Sequence, residues 1–63
     1  MFDLIYKYCE VIADRTVNGA RFVFFKEDGF GVVQTDISDE GELLSFSCSS
    51  MEEFEGIIDS LVA

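Results

Sequence analysis

The chain has 63 residues, 49% of them hydrophobic, a formal charge of −9, and neither Pro nor His. A domain of this size buries only about 60% of the surface its unfolded chain exposes, which leaves room for one small core and none for a long catalytic cleft. The lack of His removes the commonest general base and metal ligand at neutral pH, and 13 acids against 4 bases disfavour direct binding to phosphate.

From Phe2 to Asp14, charged residues fall at Asp3, Lys7, Glu10 and Asp14, spacings that place them on one stripe of a helix. The opposite stripe, Ile5, Tyr8, Cys9 and Ile12, is expected to pack on a sheet. The start, Met1-Phe2-Asp3, has no basic leader, and no apolar run approaches the roughly 20 residues of a membrane span; the expectation is a soluble, unprocessed, cytoplasmic protein. Arg15 to Gly19 reads as a loop closed by an Asn-Gly turn signal.

Ala20 to Cys48 reads as three strands broken by Asp28-Gly29 and by Ser38 to Gly41, the punctuation of hairpins. A two-residue turn at Asp28-Gly29 sets Phe25 opposite Val32, Phe24 opposite Val33, Phe22 opposite Thr35 and Arg21 opposite Asp36. A four-residue second connection sets Thr35 opposite Leu44 and Val33 opposite Phe46. The two hairpins then agree on a core face of Phe22, Phe24, Val33, Thr35, Ile37, Leu44, Phe46 and Cys48.

Ser50 to Glu53 fits a capping box that opens a second helix, with Met51, Phe54, Ile57, Ile58 and Leu61 on its apolar stripe. Gly56 falls on the opposite, solvent side and weakens the helix by about 1 kcal/mol relative to Ala. The expected fold is α+β, a single small domain over residues 1–63 ordered helix, three-stranded antiparallel meander, helix. Both helices are placed on one sheet face. That arrangement leaves Val23, Phe25 and Val32 uncovered, a candidate homodimer face.

Cys9 and Cys48 are expected to point into the core from the first helix and the last strand, as buried free thiols. Two cysteines without His do not make a zinc site. Asp36 to Glu42 has oxygen ligands at alternate positions and a Gly at the sixth, as in a calcium loop, but the twelfth position is Ser47 and strands flank the segment. No catalytic residue, cofactor site or metal site is expected.

The distribution of charge is the functional signal. Residues 1–26 hold Lys7, Arg15, Arg21 and Lys26 against three acids, whereas residues 27–63 hold ten acids and no Lys or Arg. Soluble surfaces normally mix both signs, and a one-sign field steers a protein toward a basic partner. Asp36, Asp39, Glu40, Glu42, Glu52, Glu53, Glu55 and Asp59 are therefore the candidate partner-binding residues.

The expected order of elements is similar to the double-stranded RNA-binding domain, although Glu52 and Glu53 stand where that family has lysines. In size, acidity and helix-plus-sheet make-up the whole chain resembles the small acidic inhibitors encoded by bacteriophages, the anti-CRISPR proteins of the DNA-mimic kind. The resemblance implies a non-enzymatic inhibitor that occupies the basic surface of a nucleic-acid-binding protein or complex, such as a CRISPR effector, in the host bacterial cytoplasm. The charge and the lack of a long apolar run lead to the expectation of no direct contact with nucleic acid or membrane. An acidic immunity or antitoxin-like protein, and a structural homodimer, are the alternatives.

Overall fold

The computed structural model describes residues 2–37 and 43–62. Its elements are α1 (Asp3–Tyr8), β1 (Glu10–Val17), β2 (Ala20–Glu27), β3 (Phe30–Thr35), β4 (Leu44–Ser47) and α2 (Met51–Val62). The strands form one antiparallel sheet in the order β1-β2-β3-β4. The α+β class and the expected register hold: Phe25 pairs with Val32, Phe24 with Val33, Phe22 with Thr35, Thr35 with Leu44 and Val33 with Phe46.

Two expectations fail together. The first helix stops at Tyr8, where Cys9 turns extended (φ −122°, ψ 158°) and its N–H caps the Ile5 carbonyl. Glu10 to Val17 then forms a fourth strand paired with β2. Asn18 and Gly19 both have positive φ (52° and 83°), as do Asp28 and Gly29 (53° and 83°). This is the mirror-image two-residue turn that right-twisted hairpins favour. Asn18-Gly19 is therefore a hairpin turn and requires a strand on each side. A six-residue helix is marginal by itself, and α1 is held by packing.

The helices also lie on opposite faces. Phe2 and Ile5 cluster with Val23 and Phe25 on one face, while Phe54 and Ile58 cluster with Phe22, Phe24, Val33 and Cys48 on the other. Val23 and Phe25 are fully buried and Val32 is half-buried, so the face proposed for a homodimer is closed within one chain. The reason is β2 itself, where four apolar residues in a row, Phe22 to Phe25, point to alternate sides and need cover on both.

Between Val11 and Ala13 the register shifts, leaving Ile12 as a bulge with its side chain 40% exposed. The extra residue reverses the alternation of β1. Val11 thereby joins the α1-side cluster, and Ala13 and Val17 join the α2-side cluster. The thiols separate in the same way, Cys9 packing on the α1 side and Cys48 in the α2-side core, both free.

Gly31 governs how the chain passes from β4 to α2. A Cβ placed there would stand 1.9 Å from the Cys48 carbonyl oxygen and 3.1 Å from the Phe24 ring, so only glycine lets the chain step over β3 onto the sheet face. Phe54 then stacks on Phe24 with ring centroids 5.6 Å apart. Gly31→Ala is expected to destabilise the chain by about 1–3 kcal/mol, as over-packing does, and Phe54→Ala by about 3–5 kcal/mol. A core of this size supplies roughly 3–5 kcal/mol in all. In urea unfolding followed by circular dichroism, Gly31→Ala should lower the midpoint and Phe54→Ala should leave no cooperative transition.

Candidate functional site

α2 forms with Ser50 as its N-cap, as the capping signal requires, but the return bond of Glu53 goes to Ser49 in place of Ser50. The Glu53 N–H donates to Ser50 Oγ (3.2 Å), while the Glu53 carboxylate accepts from the Ser49 N–H (3.1 Å) and the Ser49 hydroxyl (2.6 Å). These bonds to Ser49 hold the Glu53 carboxyl below its ordinary pKa. Glu53 is therefore occupied in starting the helix.

The other candidate carboxylates divide by duty. Glu55 pairs with Arg15 Nη1 at 3.1 Å, with both side chains about half exposed (54% and 51%); such pairs contribute about 0–1 kcal/mol and exchange readily. Asp36 accepts the backbone N–H of Arg21 at 2.8 Å, one residue past the end of β3. The expected cross-strand pairing of the Arg21 and Asp36 side chains is thus replaced by a side-chain to backbone bond. Glu52 and Asp59 are exposed and have no ion pair among the described residues. Asp39, Glu40 and Glu42 lie outside the described residues, as does most of the segment compared with a calcium loop.

The Arg21 guanidinium turns instead to Asp14 on β1, donating from Nε to Oδ1 at 3.0 Å and from Nη2 to Oδ2. It also lies 4.8 Å from the Phe2 ring centroid and 5.8 Å from that of Tyr6, whose hydroxyl donates to Asp14. Sequence reasoning missed this cluster because it placed Asp14 at the end of a helix. Its bonds tie α1 to the sheet. The hydrogen bonds from Arg21 hold the Asp14 carboxyl below its usual range, and the bond to Asp14 pushes the Tyr6 phenol up.

Glu52, Glu55 and Asp59 stand on one stripe of α2, at i, i+3 and i+7. With Glu53 in the first turn and no basic residue in the last, the helix is acidic toward both ends. Acids in the first turn favour the positive end of the helix dipole, whereas Asp59 opposes the negative end by about 0.3–1 kcal/mol.

Beside this stripe runs a groove of about 410 Å³ between α2 and β4, with Phe46, Ile57 and Leu61 among its walls. A second hollow of about 460 Å³ lies at the start of α2, where Lys26, Phe30 and Glu53 meet. Among the described residues no three His, Cys, Asp or Glu side chains are grouped to hold a metal ion, and no helix is long and apolar enough to cross a membrane. The chain matches no protein-family model, no curated protein and no solved structure.

Asp14 and Glu53 set a pH dependence. A carboxyl that ionises more readily in the folded chain than in the unfolded one stabilises the fold above its unfolded pKa, about 4. That contribution is lost as pH falls through the lower folded value. Thermal midpoints should therefore fall on acidification below about pH 4, and Asp14→Asn with Glu53→Gln should be less stable at neutral pH and show a shallower acid limb. A parallel downward displacement at every pH would show that these carboxyls do not drive the acid limb.

Proposed function

We propose that this chain is a non-enzymatic acidic inhibitor. It docks its second half onto the Lys- and Arg-rich nucleic-acid-binding surface of a partner protein, in the manner of the phage-encoded DNA mimics it resembles, with the bacterial cytoplasm as its place of action. The observation that carries the reading is α2, whose outer stripe of Glu52, Glu55 and Asp59 is acidic into the last turn. Asp59 there serves neither the helix dipole nor an ion pair among the described residues.

Axial spacing on that stripe is about 4.5 Å and then about 6 Å, from a rise of about 1.5 Å per residue. Phosphates on one DNA strand advance about 3.4 Å, so the stripe presents a sparser row of the same sign. Glu27 and Asp28 on the β2–β3 hairpin, Asp36, and the sequence-adjacent Asp39, Glu40 and Glu42 add to the charge of the same half of the chain. The Arg15–Glu55 pair can release Glu55 to a partner cation, because it is half exposed and weak.

The test is capture of bound proteins from a bacterial lysate at low and high salt, followed by competition with duplex DNA for the recovered partner. The expected partner is a basic nucleic-acid-binding protein, displaced by DNA and lost at high salt. Glu52→Lys with Asp59→Lys should weaken that binding at least about tenfold, the equivalent of about 1.4 kcal/mol, without lowering the unfolding midpoint. Undiminished binding by the double variant would overturn the reading, and a single toxin that DNA does not displace would point to an immunity protein.

A further inference from the structure

The groove between α2 and β4 is built in a way that the fold does not require. A helix about 10 Å across covers roughly two strands spaced about 4.8 Å apart, and the Arg15–Glu55 pair ties α2 toward β1. β4, at the far edge, keeps Phe46 only half-buried and Leu44 37% exposed. Ser47, Gly56 and Ser60 line the groove together with Phe46, Ile57 and Leu61.

Gly56 is the anomaly. It lies inside α2, its φ is not positive, and a Cβ there would meet nothing within 4 Å. Ala at this position would strengthen the helix by about 1 kcal/mol with no clash, so the conformation and packing of the monomer give no reason for glycine. A segment that approaches the helix backbone from the groove does.

β4 is also the undefended edge. β1, the opposite edge, is interrupted by the Ile12 bulge and carries Glu10, Asp14 and Arg15. Bulges and charges of this kind blunt an edge against pairing. Leu44-Ser45-Phe46-Ser47 has no charge and no bulge, and among the described residues no strand lies beyond it. The Cys48 N–H points inward to the Gly31 carbonyl, so by alternation those of Ser45 and Ser47 point outward.

We propose that β4 and the groove beside it receive an extended segment of the partner protein in which apolar residues and Lys or Arg take turns at every second position, so that both kinds face α2. Its backbone pairs with the outer edge of β4. An apolar side chain seats against Gly56 between Ile57 and Phe46, and the basic side chains reach the carboxylates of α2. Charge selects this occupant: a second copy pairing through β4 would bring two acidic halves together, each without a single Lys or Arg. The proposal rests on the basic-partner reading above and adds the shape of the partner segment.

The test uses the full chain labelled with 15N and an eight-residue Lys–Val peptide, Val-Ser-Lys-Ser repeated twice, which sends Val and Lys to the same side of an extended strand. An all-Lys peptide and a Gln–Val peptide, the same sequence with Gln in place of each Lys, serve as controls. The Lys–Val peptide should shift the amide resonances of Ser45, Ser47, Gly56 and Ile57 and slow hydrogen exchange at Ser45 and Ser47. Gly56→Leu and, separately, Ser60→Leu fill the groove; each should weaken the peptide about tenfold, the loss of one buried aliphatic contact, with no fall in unfolding midpoint. Unchanged affinity in both variants overturns the proposal. Equal binding of the all-Lys peptide, with shifts centred on Glu52 and Asp59, overturns the groove and leaves the electrostatic reading standing. Equal binding of the Gln–Val peptide overturns the basic occupant and with it that reading.

Discussion

The fold depends on the need to cover β2 on both faces. Phe22, Val23, Phe24 and Phe25 are each almost fully removed from solvent, and a strand sends successive side chains to opposite sides. One helix cannot meet that demand. α1 closes over Val23 and Phe25, α2 over Phe22 and Phe24, and β1 pairs along the outer side of β2. The Ile12 bulge follows from the same demand, since it lets β1 send Val11 to one cluster and Ala13 and Val17 to the other. Leaving one isoleucine half in water is a small sacrifice against filling both layers.

Charges divide into those that hold these layers together and those that do not. Arg21 bonds Asp14 beneath Phe2 and Tyr6 and so fastens α1; Arg15 reaches Glu55 and steadies α2; Glu53 starts α2 through Ser49. Among the described residues, what remains is Glu52 and Asp59 on the outer stripe of α2, Glu27 and Asp28 at the β2–β3 hairpin, and Asp3 and Glu10 in the first half. Removing the carboxylates that have structural duties leaves a narrower and more specific set than the sequence pattern alone suggested. Because Glu52, Asp59 and the uncharged edge of β4 lie on the same half of the chain, the proposed partner segment would meet charge and shape together.

The route of the chain over Gly31 places that surface. The Cys48 carbonyl sits where a side chain on β3 would stand, so the chain crosses β3 on its way to α2, and the Arg15–Glu55 pair ties the helix toward β1. β4 is left with its inner face partly open. Gly31 and Gly56 thus differ in kind: at the first a Cβ would strike backbone and the fold requires glycine, whereas at the second a Cβ would enter open space and the monomer does not.

Local chemistry by itself determined the α+β class, the β2–β3–β4 register, the Ser50 cap of α2 and the acidic second half, because turn residues, strand alternation and capping act over a few neighbouring positions. Two signals for the rest were present and outweighed. Asn18-Gly19 marks a hairpin as strongly as Asp28-Gly29, and the unbroken run Phe22 to Phe25 marks a strand covered on both sides. The helical spacing of Asp3, Lys7, Glu10 and Asp14 competed with both, and periodicity of charge carries less free energy than burial of apolar surface. Only the tertiary structure decided which face each helix covers, which carboxylates are already engaged, and that a groove opens beside Gly56. Those are consequences of pairing β1 with β2 across the whole sheet, and no local stretch of residues contains them.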